Sequence, residues 1–278
     1  MSTLTRPETL QRLLALGRPA VMGILNVTPD SFSDGGQFFD PAVAIAHANR
    51  MVAEGADVLD LGAESTRPYG GMQPVSLEDE LARLRPVLPA VVRLGLPVSI
   101  DTIKAKVAAF ALERGAALIN DVWGLQRDPD MARVAAAHGV PVIVMHNRES
   151  ADPALDIMAD VMDFFARSLD IAARAAVPRQ QIVLDPGIGF GKTAEQSITM
   201  IARLGELRSF GLPLLMGLSR KRFIDSVSPS KPSERIGGSI AGNVLAVLNG
   251  ADIVRVHDVG ETVQALRVME AIRAAKVE

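Results

Sequence analysis

AALINDVWGLQRDPDMARVAAAHGVPVIVMHN, residues 116–147, holds one whole unit of the fold. A short apolar run, ALI (117–119), stops at the polar pair Asn120–Asp121. A segment with helical spacing follows over 128–138, opened by DPD and closed by Gly139, and the next apolar run, VPVIVM (140–145), stops at His146. Apolar runs without polar alternation suit parallel strands that are covered on both faces. A Gly directly after a helix supplies the left-handed residue that ends it and sends the chain into the next strand. An Asp ahead of an amphipathic run accepts hydrogen bonds from the first free N–H groups of the helix.

The same unit recurs on either side. Further apolar runs are VMGIL (21–25), DVLDL (57–61), PVSI (97–100), QIVL (181–184), PLLMG (213–217) and ADIVRV (251–256). Helical spacing covers 40–54, 77–93, 104–114, 154–176, 194–208, 233–249 and 261–275. EGADV, ERGAAL and LNGAD repeat the Gly ending, while DPAVAIA and SLEDELA repeat the polar cap. Eight strands alternating with eight helices predict an α/β protein with a closed (β/α)8 TIM barrel. It is expected to be one domain over 1–278, with 1–18 as an N-terminal extension. A doubly wound open sheet has the same succession of elements, so closure is left to the structure.

Composition supports a large enzyme-sized core. The 278 residues suit a barrel, which typically takes about 250. Apolar residues make up 48% and charged residues 22%, enough to bury a sizeable core. A net charge of −3 gives no electrostatic case for nucleic acid or an anionic membrane as partner. The absence of Cys excludes disulfides and thiolate metal sites. MSTLTRPETLQRLLALGRP has no long apolar stretch of the signal-peptide kind, and no run is long enough to span a bilayer. The expectation is a soluble cytoplasmic protein.

Active sites of such barrels lie at the C-terminal ends of the strands. The first polar residues after the runs are Asn26; Glu64 with Thr66 and Arg67; Asp101; Asn120 with Asp121; His146 with Asn147; Asp185; Ser219, Arg220 and Lys221; and Arg255 with His257. A lone Asp or Arg at a barrel rim is more often a salt-bridge residue than a functional one. Here all the strand ends are polar and converge on one mouth, whereas the opposite ends carry GA or GLP turns. Ionised carboxylates only accept hydrogen bonds, so Asp101 and Asp185 with the amide of Asn120 suit a heterocycle rich in N–H donors, such as a 2-amino-4-oxo pyrimidine edge. The cations Arg67, Lys221 and Arg255, with His257, suit a phosphate or pyrophosphate.

DPGIGFGKT (185–193) has the look of a phosphate-binding P-loop, but that motif needs four residues between its first Gly and the GK pair, and Gly187 to Gly191 leaves three. Its glycines are read instead as a tight turn after the sixth strand, with Phe190 set to cover a flat ring. The only Tyr and only Trp, Tyr69 and Trp123, fall in loops at the mouth, where surface packing explains them as well as function does. His47 lies mid-helix and His138 in a last helical turn, where neither is expected to act. His146 is read as either a buried, hydrogen-bonded residue or a ligand contact.

Seven blocks carry a family likeness. ILNVTPDSFSDGG (24–36), GAESTRP (62–68), SIDT (99–102), INDVWG (119–124), DPGIGFGK (185–192), GLSRKRFI (217–224) and RVHDV (255–259) resemble the dihydropteroate synthase family in order and spacing, over about residues 20 to 275. The resemblance implies a transferase of folate biosynthesis. It would join 6-hydroxymethyl-7,8-dihydropterin pyrophosphate to p-aminobenzoate, release pyrophosphate, need Mg2+ and work as a homodimer. By matching position it implies that Asp101, Asn120, Asp185 and Lys221 hold the pterin, with Phe190 and Gly217 lining the slot. It places Asn26 at the metal and pyrophosphate, and Arg67, Arg255 and His257 at the pyrophosphate. Phe32, Thr66 and Pro68 would frame p-aminobenzoate or a sulfonamide mimic of it, together with the stem of Lys221. Asp101, Lys221, Arg255 and His257 would be the catalytic set.

The chain departs from the family's commoner wording at YGGMQPVS (69–76), which is longer, at Trp123 in place of a small residue, and at Gly238 in place of Thr. Two other readings of the same barrel are a pterin-dependent methyltransferase that serves a corrinoid and a non-catalytic pterin binder. Neither needs the cations kept at Arg67, Lys221, Arg255 and His257.

Overall fold

The computed structural model of the chain describes residues 8–28, 40–64 and 75–275. The strands are β1 Ala20–Asn26, β2 Val58–Gly62, β3 Val98–Asp101, β4 Leu118–Asp121, β5 Val142–Met145, β6 Ile182–Asp185, β7 Leu215–Met216 and β8 Ile253–Val256. They pair in parallel in the order β6-β5-β4-β3-β2-β1-β8-β7. The two edges then meet: Leu184 bridges Leu214 in parallel, and the Leu184 N–H donates to Pro213 O at 2.9 Å. The sheet is therefore a TIM barrel and not a doubly wound open sheet. β7 is short because Pro213 has no N–H for the ladder, and the Leu214 N–H goes to the Asp252 side chain at 2.9 Å.

Around the barrel run α1 Glu8–Leu14, α2 Pro41–Glu54, α3 Leu77–Leu84, α4 Leu88–Val92, α5 Ala105–Glu113, α6 Met131–His138, α7 Ile157–Arg174, α8 Ala194–Ala202, α9 Arg222–Val227, α10 Ile236–Leu248 and α11 Val259–Ala274. The expected helix over 77–93 is broken into α3 and α4, because Pro86 has no N–H to continue the ladder past Arg85, which itself stays helical. The one expected over 194–208 ends at Ala202, and the chain continues as a 3-10 helix over Leu204–Phe210. α1 and α9 have no counterpart among the expected helices. Among the described residues no helix is long and apolar enough to cross a membrane.

Helix ends follow the reading of the caps, with one exchange. Asp40 accepts from the Ala42 N–H at 2.8 Å and Ser76 from the Asp79 N–H at 3.1 Å. Gly55, Gly115, Gly139 and Gly250 end helices in the left-handed region. In the DPD stretch, however, Asp130 makes no side-chain cap for α6. Its neighbour Asp128 accepts from the Ala105 N–H at 2.8 Å and so caps α5, next door.

The residues before β1 are more than an extension. Leu10 and Leu13 of α1 are buried against Ala20, Met22, Val58, Leu118, Ile143, Val183, Leu215 and Ile253, which come from seven of the strands. α1 thus plugs the barrel end opposite the mouth. Leu10→Ala is expected to cost about 2–5 kcal/mol through lost transfer energy and a cavity. Urea unfolding checks this, and an unchanged midpoint would show that α1 is not part of the core.

Candidate active site at the mouth of the barrel

The mouth is organised by a residue that lies inside an apolar run. Asp60, in the middle of β2, is fully buried. Its Oδ2 accepts from Asn120 Nδ2 at 3.0 Å and from Arg255 Nε at 2.6 Å. Arg255 Nη2 donates in turn to Asp101 Oδ2 at 2.7 Å. One net thus ties β2, β3, β4 and β8 together across the barrel. Sequence reasoning missed Asp60 because it looked only after the runs. The available signal was an Asp flanked by Leu on both sides, since a buried charge needs a partner.

This net is incomplete. Asp60 Oδ1, Asp101 Oδ1 and Asn120 Oδ1 are buried and have no hydrogen-bond partner among the described residues. Buried polar atoms are nearly always paired, so three unpaired oxygens on one floor call for partners from a bound molecule or water. Two carboxyl groups also share a single guanidinium. Burial raises the Asp101 pKa to about 8, with Arg255 opposing the rise and Asp60 adding to it.

The facing wall comes from β6 and β7. Asp185 is buried at the end of β6, and its Oδ1 accepts from the Gly187 N–H at 2.8 Å. Burial raises its pKa, opposed by Lys221. Gly187, Gly189 and Gly191 all have positive φ, so the segment is the tight turn read from sequence and no P-loop. Lys221 Nζ donates to Ile188 O and lies 4.7 Å from the centroid of the Phe190 ring. Burial lowers the Lys221 pKa to about 8, with Asp185 opposing. A Cβ at Gly217 would stand 3.7 Å from Lys221 Nζ and 4.0 Å from Arg255 Cβ, so Gly217 borders this corner. Phe190 clusters with Val122 and Met145, and Ile103 and Trp123 pack against them as an apolar wall.

The other predicted residues divide between the mouth and its surroundings. Asn26 ends β1, and a Cβ at Gly62 would lie 3.6 Å from both Asn26 Oδ1 and Asp101 Oδ2, so Asn26 borders the floor. His257 is held beside Ser219, whose Oγ is 3.0 Å from Nδ1. Arg220 is drawn aside to Asp258, with Nε 3.1 Å from Oδ2. Asp121 accepts from the Trp123 and Leu125 N–H groups at 2.9 and 2.7 Å and so shapes a turn. Glu64 pairs with Lys104 and accepts from the Val75 N–H at 3.0 Å.

His146 proves to be a buried, fully engaged residue, 2.9 Å from Asp160 Oδ2 at Nε2 and 2.6 Å from Lys192 Nζ at Nδ1. Phe32, Thr66, Arg67, Pro68 and Tyr69 lie outside the described residues. Among the described residues no group of three His, Asp or Glu could hold a metal ion.

Comparison with known proteins adds independent findings. Residues 22–257 match the pterin-binding enzyme family. The chain is 46% identical over 257 residues to a dihydropteroate synthase of Clostridium beijerinckii, covering 92% of this chain and 94% of the relative. Its fold superposes with a TM-score of 0.88 on the Xanthomonas albilineans dihydropteroate synthase solved with 4-aminobenzoic acid, at 43% identity and covering 92% and 94% of the two chains. The Yersinia pestis dihydropteroate synthase, solved as a sulfonamide drug complex, gives 0.86 at 43% identity, covering 94% and 96%.

The floor makes a pH-dependent prediction. A folded Asp101 with a pKa of about 8 keeps a proton that the unfolded chain, with the ordinary value of 3.8, has already released. Between those values the folded state binds more protons, so its stability falls as pH rises. Asp101→Asn cannot titrate. Its melting temperature relative to the parent protein should therefore climb from pH 5 to about pH 8 and then level off, by on the order of 10 °C, since one proton over that window is worth about 4 kcal/mol at about 2–4 °C per kcal/mol. A flat difference would show that Asp101 stays ionised throughout.

Proposed function

The chain belongs to the pterin-binding enzyme family, and we propose that it is a dihydropteroate synthase. This transferase joins 6-hydroxymethyl-7,8-dihydropterin pyrophosphate to p-aminobenzoate and releases pyrophosphate. The observation that carries the reading is the row of unpaired buried oxygens, Asp60 Oδ1, Asp101 Oδ1 and Asn120 Oδ1, of which Asp60 and Asn120 are open acceptors. A reduced pterin brings the amino and ring N–H donors that such a floor lacks. Its flat ring suits the wall at Phe190, with Gly217 bordering the same corner. In this reading Asp185 accepts from the 2-amino group and the adjacent ring N–H, and Lys221 closes the slot above Phe190.

The cations stand where charge develops. Arg255 gives Nε and one Nη to Asp60 and Asp101, so its other Nη is the one offered to phosphate, with His257, Arg67 and Asn26 as co-ligands. The C–O bond to pyrophosphate breaks first and takes the electron pair, and the pterin methylene becomes cationic. Carboxylates already fixed beneath the ring and cations already fixed at the leaving group stabilise this separation more than the ground state. The aryl amine then attacks and loses its proton. Phe32, Thr66, Pro68 and the Lys221 stem would frame p-aminobenzoate, and a sulfonamide would compete there.

Magnesium fits a limited role. Asn26 Oδ1 is a single neutral oxygen, which suits an ion held chiefly by pyrophosphate oxygens and water, as Mg2+ prefers. When bound it would neutralise the leaving group. We also propose a cytoplasmic homodimer built on the one 1–278 domain. The exposed Leu245 and Leu248 of α10 and Val268 and Ile272 of the contacting α11 support such a face, and light scattering tests it.

Pyrophosphate release measured with and without p-aminobenzoate tests the reaction: release should depend on the amine, and its absence with both substrates present would overturn the function. The sharper test is Asp185→Asn. The new Oδ1 can still accept from Gly187, while the NH2 group faces donors, so pterin affinity should fall by about tenfold or more, with the melting temperature nearly constant. Unchanged affinity in titration with a non-reactive pterin would make Asp185 a turn residue only.

A further inference from the structure

We propose that Lys192, sealed beneath the turn between β6 and α8, is a positioning residue for the pterin slot: its ammonium group fixes the turn that carries Asp185, Ile188 and Phe190 into the mouth. This rests on reading the mouth as a pterin site. Lys192 is 4% exposed. Its Nζ lies 2.9 Å from Gly187 O, 3.1 Å from Phe190 O and 2.6 Å from His146 Nδ1.

Counting donors assigns the protons. Asp160 holds its Oδ2 2.9 Å from His146 Nε2 while Oδ1 accepts from Arg148 Nη1 at 2.9 Å. A carboxylate so placed accepts only, so Nε2 carries the imidazole hydrogen. Burial and the Lys192 charge push the His146 pKa down to about 3, which keeps the ring neutral and leaves Nδ1 as an acceptor. Lys192 therefore faces three acceptors, two carbonyls and one imidazole nitrogen, and an ammonium group has one N–H for each. Burial pulls its pKa down, and the charges of Asp185 and Asp160 act against that fall.

The turn needs such a clamp. Its three glycines adopt φ of 64°, 82° and 54°, and glycine backbone has the most freedom to lose. A Cβ at Gly187 would run into the His146 carbonyl, and one at Gly191 into the Arg148 backbone, so the turn lies directly on the exit of β5. On the inner side two of its carbonyls converge on Lys192; on the outer side Ile188 O accepts from Lys221. The inner lysine thus holds the frame on which the outer one is placed. Lys192 touches no substrate in this arrangement and acts through Phe190, Ile188 and Asp185.

The test is Lys192→Met, read by titration with a non-reactive pterin, by titration with pyrophosphate and Mg2+, and by emission of Trp123, the only Trp, which packs against the cluster that holds Phe190. Leu84→Ala, in the buried core on α3, serves as a destabilised control. Lys192→Met should weaken pterin binding by about tenfold or more, shift the Trp123 emission of the free protein, and leave pyrophosphate binding within about twofold. The control should lower the melting temperature and move none of the three. A Lys192→Met protein that melts earlier but keeps its pterin affinity and emission would overturn the proposal.

If that variant does not fold, Lys192→Gln keeps two of the donors without charge and should give an intermediate loss. In the unaltered protein, nitrogen-15 spectra should show His146 protonated at Nε2 alone, and a proton on Nδ1 would overturn the donor assignment. Failure of the pterin-site reading looks different, because then the unaltered protein binds no pterin. The emission of the free variant still decides whether Lys192 holds the turn.

Discussion

The mouth of this barrel depends on one guanidinium between two carboxyl groups. Arg255 on β8 bonds Asp60 on β2 and Asp101 on β3, reaching past the intervening β1. Charges taken out of water are tolerated only when paired and hydrogen-bonded, and removing one partner leaves the other stranded. The arrangement therefore fixes all three side chains, and through Asp60 also Asn120, before any ligand arrives. It also leaves one negative group in excess, and the Asp60 charge adds to the burial that raises the Asp101 pKa. A site that is costly to assemble in the protein is already assembled when substrate enters, which is what electrostatic preorganisation requires.

That cost is separated in space from what stabilises the chain. At the far end the inward residues are Met22, Val58, Leu118, Ile143, Val183, Leu215 and Ile253, closed off by Leu10 and Leu13. Moving along the strands toward the mouth, the inward positions change to Asp60, Asp101, Asn120 and Arg255. The same strands thus supply an apolar plug at one end and a charged floor at the other. Polar side chains can accumulate at the mouth because core packing elsewhere offsets them.

Much of this was legible in the sequence because it is written locally. Each strand is an apolar run, each αL ending a Gly, and the first polar residues after β3, β4, β6 and β8 are indeed the ones that meet. What escaped depends on contacts far apart in the chain. The count of eight units pointed to closure, but the contact that makes it, Leu184 meeting Leu214, is announced by no run of residues. Asp60 looks like a strand residue until Arg255 and Asn120 are seen against it. Asp128 reads as a cap for the helix that follows it, yet it caps α5, which precedes it. His146 could be placed at the mouth but not assigned, because Asp160 and Lys192 come from two other elements. The break at Pro86 was a local signal, and apolar periodicity outweighed it in the reading of 77–93.

Two of the departures from family wording, Gly238 and Trp123, are absorbed by packing, while 69–74 of the third lie outside the described residues. A Cβ at Gly238, on α10, would run into the side chain of Ile224 on α9, so this chain has a Gly there because an Ile takes up the space. α9 follows Lys221 directly, and the close approach that Gly238 permits sets how that helix leaves the mouth. Trp123 is a comparable case. Its ring joins the Ile103, Val122, Met145 and Phe190 wall, and the Arg127 guanidinium lies 4.7 Å from the ring centroid. A small residue there would leave the wall thinner and Arg127 without its aromatic face. The Asp121 carboxylate fixes the backbone N–H of Trp123, so the large side chain is carried on a turn already braced one strand away from Asp101. Both substitutions change what stands behind the site and leave the acceptor floor and the guanidinium in place.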